Sequence, residues 1–293
     1  MAAGIDTATD DCLGYFGPQS VTWRVARERV LVLGGGRAVL MQLAHPLVAA
    51  AVGQHSTYAR DPWARTLATL DLTQRMTFGT RREARQAARH VNWLHADVKG
   101  TLDEQAGEYN AGTPYHARQP DLLLWVFATL VDTARFMYPR VVGPLSSADW
   151  EAYYQEAKRV VLLLGLPLDH IPPTLAEFDT YMAQMLRGAA LTTTLEAQAV
   201  ARTVLRMPVP VVLRPAFALG GEVTAGWLPE RLREIYGLRW DDGRQRLLDA
   251  GTAGMRCLLP AVPAALRYNV WARRAYRRVA AQQAADRGTA LAG

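Results

Sequence analysis

The sequence predicts an all-α fold, one globular domain of many helices, on three observations. Apolar residues recur at intervals of three and four rather than two. Capping boxes open two of these runs, at Thr80-Arg81-Arg82-Glu83 and Thr174-Leu175-Ala176-Glu177. Alternating strand patterns are nearly absent. A chain of 293 residues buries most of its apolar surface without cross-links. Its two cysteines, Cys12 and Cys257, form neither a disulfide framework nor a zinc spacing.

The longest apolar run, Leu31 to Gly53, is interrupted by Gly34-Gly35-Gly36-Arg37, Gln42, His45 and Pro46. A membrane span tolerates these residues badly, so the run reads as a buried core element with the glycines as entry to a packed helix. A dinucleotide-binding turn would need a strand before the glycines and an acid after a second strand, and no parallel-sheet pattern follows. After Thr80, the residues Ala84, Ala88, Val91, Leu94, His95, Val98 and Leu102 form one helical stripe facing a core. Pro120-Asp121 opens a helix through Leu124-Trp125-Val126-Phe127 that must end near Pro139. Ser146 to Asp149 starts a third, which stops at Gly165. The helix opened by Thr174 runs through Met185. The stretch Arg206 to Trp227, rich in proline and glycine, reads as a long connection or an irregular helix pair within one domain. Leu228–Tyr236 and Gly243–Ala250 read as short helices, followed by a basic helix over about 264–281 and a flexible tail over 282–293.

Charge and targeting signals narrow the function classes. The net charge is +6, and the segment from Arg267 to the end holds six arginines and one aspartate, a net of +5. Nucleic-acid binders spread basic charge over a folded face, so no nucleic-acid partner is expected. In the basic helix, Tyr268, Trp271, Ala272, Ala275 and Val279 line one face while Arg273, Arg274, Arg277 and Arg278 crowd the other. Such a helix either docks its aromatic face on the domain, the reading preferred here, or lies on an anionic membrane. Met1 to Asp11 has no apolar core, so it is not a signal peptide, and a cytoplasmic location is the default expectation.

Five of the six histidines, His45, His55, His90, His95 and His116, fall in a stretch that also holds Arg37, Asp61 and Arg65; the sixth is His170. His95 sits on the apolar stripe of its helix, whereas His90 lies off it. Spacing leaves two readings of His95 open: a core histidine satisfied by one hydrogen bond, or a metal or haem ligand presented from an apolar helical pocket.

The run Gly36-Arg37-Ala38-Val39-Leu40-Met41-Gln42-Leu43-Ala44-His45-Pro46 is followed in order by four further segments. They are Asp61-Pro62-Trp63-Ala64-Arg65, Phe78-Gly79-Thr80, Leu94-His95-Ala96-Asp97-Val98-Lys99-Gly100, and Tyr115-His116-Ala117 with Leu124-Trp125-Val126. This combination resembles the MpaB-like oxygenase family, the rubber-oxygenase or latex-clearing-protein catalytic domain, well over about Phe16 to Pro173 and loosely beyond. The resemblance implies a distantly globin-like all-α fold that holds haem b and uses O2 on an apolar or isoprenoid-like small molecule. The alternative is a non-catalytic protein of the same fold that carries haem or another hydrophobic ligand. The family pattern places the proximal iron ligand at His95. Its distal Arg-x-x-Lys-Thr segment reads Arg65-Thr66-Leu67-Ala68-Thr69 here, so Arg65 and Thr69 are expected to shape the distal pocket while Ala68 replaces the lysine. The open iron position is then left to water, O2, His45 or His55. Phe127 stands where many relatives carry a histidine. Arg37 and Lys99 are candidate partners for haem carboxylates, and Trp125 is a candidate cofactor wall.

Overall fold

The computed structural model describes residues 13–55, 62–206, 212 and 214–292. Among them are fourteen α-helices and one small hairpin. In chain order they are α1 (Val21–Ala26), a 3-10 turn (Arg29–Gly34), α2 (Gly35–Leu43), α3 (Pro46–His55), α4 (Pro62–Phe78) and α5 (Arg81–Ala96). Strands β1 (Lys99–Thr101) and β2 (Pro114–His116) follow, then α6 (Pro120–Val141), α7 (Ser147–Leu163), α8 (Leu175–Arg187) and α9 (Leu195–Leu205). The chain continues through α10 (Arg214–Trp227), α11 (Glu230–Ile235), α12 (Asp242–Leu258), α13 (Ala264–Arg267) and α14 (Val270–Ala292).

Helix α6 is the hub. Pro120 starts it, because the first helical position needs no N–H donor, and it runs for 22 residues, two past Pro139. Leu122, Leu123, Trp125, Phe127 and Val131 are buried on nearly every face, the pattern of a helix packed all round. Helix α2 packs against it. The fully buried Trp125 donates its indole N–H to the Met41 carbonyl at 3.2 Å; truncating such a side chain to alanine costs about 3–5 kcal/mol. Gly36 allows the same helix to approach α10, since a Cβ there would lie 2.7 Å from Thr224 Oγ1. The glycine run is therefore a close-packing feature at the entry to a packed helix.

The apolar run at 31–53 folds as the 3-10 turn and two helices bent by 108° at His45–Pro46. Pro46 has no N–H to extend the α2 ladder, and its fixed φ suits the first turn of α3. No single helix among the described residues is long and apolar enough to cross a membrane. The bent pair has the composition to do so, but Leu40, Met41, Leu43, Ala49 and Ala50 are in the core.

Local sequence signals carry most elements. Both halves of the capping box form at Thr80/Glu83, and Ser146 and Asp149 make a second. At Thr174 only the threonine half forms, accepting from the Glu177 N–H. Four expectations are corrected. The stripe read through Leu102 ends as a helix at Ala96; Val98 and Leu102 flank the hairpin, in which Lys99 pairs with His116 and Gly100 with Tyr115. Three-residue strands are too short to show a period of two. The stretch 206–227 contains a 14-residue helix, α10, whose Gly226 faces Trp240 and Leu248 where a Cβ would collide. Helix α9, capped by Thr194, was not foreseen. Helix α12 extends to Leu258 and α14 to Ala292, where a shorter helix and a flexible tail were expected.

Helix α14 docks on the domain. Ala272, Ala275 and Val279 are buried in a cluster with Phe16, Trp23 and Phe78, and the Trp23 and Tyr276 rings meet edge to face at 5.1 Å. Arg278 donates to the Phe78 carbonyl at 2.7 Å. Just before this helix, Arg267 donates twice, at 2.7 and 2.9 Å, to the buried carboxylate of Glu28. Truncation before Val270 uncovers Trp23 and Phe78. It should cost about 3–5 kcal/mol and lower the Tm by roughly 10 °C; an unchanged calorimetric Tm would show that the docking does not contribute to stability.

Candidate active site

Helices α4 and α5 pack against each other, and the hairpin follows directly from the end of α5. His95 lies one residue before that end. The stripe that carries it is closed at Ala84 and Ala88 but opens towards the C-terminus, where Leu94 is 39% exposed. The His95 imidazole is half-buried and makes no hydrogen bond to the described residues. Its pKa is lowered, first by burial and then by the positive charges of Arg65 on α4, of Arg118 and of His116. A neutral imidazole without a hydrogen bond to the described residues therefore lies near Arg65 and Arg118, beside exposed Leu94. His90 is exposed and stacks on Trp93 with ring centroids 6.0 Å apart, so the two histidines serve different faces of α5 as their spacing predicts.

Arg65 and Thr69 share a face of α4. The Thr69 hydroxyl donates to the Arg65 carbonyl at 2.9 Å and accepts from the Arg65 guanidinium at 3.2 Å, which braces the arginine. Ala68 is exposed on the same helix. Residues 56–61, including Asp61, lie outside the described residues.

The hairpin brings two further candidates alongside. His55, at the end of α3, meets the Lys99 carbonyl at 3.0 Å through Nε2, and Lys99 pairs across the strands with His116. Gln54 ties the same helix end down by donating to the Thr101 carbonyl at 3.2 Å and accepting from Tyr115 at 2.6 Å. After β2, the His116 Nδ1 accepts the Arg118 backbone N–H at 3.0 Å, and the Arg118 guanidinium donates to the Asn92 carbonyl on α5 at 2.6 Å. His116 and Arg118 thus join the His95 neighbourhood. Sequence reading missed their role: the signal available was the Tyr115-His116 pair, whose strand register only the fold reveals.

Three predicted residues lie elsewhere. Arg37 is buried, with its guanidinium donating to Asp132 at 2.7 Å, Thr133 at 2.8 Å and the Trp227 carbonyl at 2.8 Å. Those bonds occupy it between α2, α6 and α10. Trp125 is scaffold, as described. His45 is buried at the α2–α3 bend, where its Nε2 meets the Tyr109 hydroxyl at 3.3 Å and its Nδ1 has no partner among the described residues. Burial pushes its pKa down to about 4, against a smaller opposing pull from Asp121, and pushes that of Tyr109 up to about 12. Among the described residues no three His, Cys, Asp or Glu side chains converge to hold a bare metal ion.

The model of the ER-bound oxygenase mpaB/B'/rubber oxygenase catalytic domain matches residues 23–257. The chain belongs to this family. The match runs well past Pro173, so the second half belongs to it too. Two mycobacterial relatives, the uncharacterized proteins Mb2261 of Mycobacterium bovis and Rv2237 of Mycobacterium tuberculosis, are each 30% identical over 223 residues, 71% of this chain and 80% of theirs. A solved structure of latex clearing protein in its closed state superposes with a TM-score of 0.59 at 21% identity, covering 95% of this chain and 76% of that one. That likeness is one of fold. Together these findings make the chain an oxygenase-type catalytic domain with an all-α architecture.

The buried His45 generates a pH dependence. The unfolded imidazole protonates near 6.5, whereas the folded one stays neutral down to about 4. Between those values the unfolded chain binds the extra proton, so stability is greatest above pH 6.5 and is lost as pH falls towards 4. The loss is on the order of 3 kcal/mol. In His45→Gln the slope of unfolding free energy against pH across this window should shrink by about one proton relative to wild type. Identical slopes would show that His45 protonates freely in the fold.

Proposed function

We propose that this chain is a haem-b-dependent oxygenase that uses O2 to act on an apolar or isoprenoid-like small molecule. The observation that carries the reading is His95: neutral, without a protein partner among the described residues, and flanked by Arg65, Arg118 and His116 at an apolar edge. That donor set fits haem, whose apolar ring suits uncovered Leu94 and whose two carboxylates call for cations. His95 would ligate the iron, and Arg65 and Arg118 would meet the carboxylates. Bound there, haem b supplies the iron centre at which O2 is activated for oxidative attack on a double bond.

The chain's own residues do the rest. Burial first, and then the neighbouring guanidiniums of Arg65 and Arg118, favour the unprotonated imidazole. Thr69 holds Arg65 in one orientation, and Asn92 holds Arg118. The hairpin holds His55 against the Lys99 carbonyl. With Ala68 at the lysine position, no lysine is offered from that position of α4.

Reconstitution with hemin tests this reading. Wild type and His90→Ala should develop a Soret band, and His95→Ala should not. Arg65→Ala and Arg118→Ala should each weaken hemin binding by about tenfold, the loss of one charge-assisted contact. The ferric spectrum should be largely high-spin and should shift on adding azide. Oxygen uptake with a polyprenyl probe should then follow haem content. Equal Soret bands in wild type and His95→Ala would remove His95 as ligand; haem binding with no uptake on any isoprenoid would make the protein a haem carrier.

A further inference from the structure

Nine consecutive residues, Leu258 to Leu266, carry no polar side chain, yet the segment lies at the surface. Only Leu259 is buried, while Leu258 is 69% and Leu266 62% exposed. The segment forms a short 3-10 turn and then α13, which packs beside the Arg29–Gly34 turn. That turn exposes Val32 and Leu33 as well. Between the two runs an apolar groove of about 310 Å³ is lined by Val32, Leu33, Val262 and Leu266, with Arg29 and Arg267. A contiguous exposed apolar surface of this kind marks a contact with a membrane or another molecule.

Charge selects between them. From Ala250 to Ala285 there are six arginines and no acid, and from Arg29 to Leu43 there is no acid either. Glu28, next to Arg29 in the sequence, is buried and bound to Arg267. Arg29 and Arg256 are exposed and make no ion pair among the described residues. A second copy of the chain meeting this face through a two-fold axis would set arginine against arginine. An anionic bilayer offers the complement of both features, headgroups for the arginines and an acyl boundary for the leucines.

We propose that this face, built from the Leu258–Leu266 segment and the Arg29–Leu33 turn, docks the protein on anionic lipid membranes. Leu258, Leu266, Val32 and Leu33 enter the acyl boundary, and Arg29 and Arg256 meet the headgroups. The docked α14 presents its arginines from the same acid-free segment. The assignment is independent of haem.

Co-sedimentation of the full chain with phosphatidylcholine vesicles, with and without phosphatidylglycerol, tests it. Wild type should sediment with the anionic vesicles. Leu258→Asp/Leu266→Asp should cut the bound fraction by at least about tenfold, given the apolar area withdrawn. Arg29→Gln/Arg256→Gln should cut it several-fold and flatten its dependence on salt. All four positions are exposed, so melting curves should match wild type. A polarity-sensitive dye on Cys257, beside Leu258, should shift to the blue on vesicle addition in a Cys12→Ser background. Absence of wild-type binding, or equal binding of the leucine double variant, would overturn the proposal. So would a wild-type dimer that this variant dissolves while vesicles leave the protein in solution, which would assign the face to a second copy.

Discussion

The buried guanidinium of Arg37 is the contact around which the helices are arranged. A charge withdrawn from water is tolerated only when each donor is met, and here the partners come from two different helices. Asp132 and Thr133 belong to α6, and the Trp227 carbonyl closes α10. Burial pulls the Arg37 pKa down and the Asp132 carboxylate pulls it back, so the ion pair and the packing are one interaction. The Phe136 ring, 4.5 Å from the guanidinium carbon, covers its face. Once α2 is held this way, Trp125 has a fixed carbonyl to bond, and the bend at Pro46 sends α3 towards the hairpin.

That geometry separates two polar regions with opposite electrostatic character. At the α2–α3 bend, burial keeps His45 neutral, and its Tyr109 partner adds no charge of its own at neutral pH. At the end of α5, positive groups from α4 and from the segment after β2 converge on His95. Like charges gathered beside a half-buried group oppose folding unless an anion joins them. The His95 neighbourhood therefore differs in kind from that of His45, which is a packed interior.

The surface shows a similar division. The aromatic and small residues of α14 are spent inside, on Trp23 and Phe78, Arg273 and Arg278 are half-buried, and Arg274 and Arg277 remain exposed. The segment just before it does the reverse and leaves its apolar side chains in solvent. The segment and most of α14 share the acid-free stretch from Ala250 to Ala285, so apolar and cationic character meet on one part of the molecule.

The all-α class, the caps at Thr80 and Ser146, the proline start of α6 and the docking face of α14 were legible in the sequence, because each rests on residues within a few positions of one another. Helical spacing also placed His95 on the stripe of α5, where it is half-buried; its role in a site, like that of Arg65, is what the family resemblance implies. The roles of Arg37, His116 and Arg118 were decided by the tertiary structure. Arg37 looks like any cation next to glycine until α6 and α10 supply its partners from 95 and 190 residues away. The hairpin that delivers His116 and Arg118 consists of two three-residue strands, too short to carry a pattern. Local periodicity encodes which face of a helix is buried; which charges then share one site depends on contacts between distant segments, and those exist only once the chain has folded.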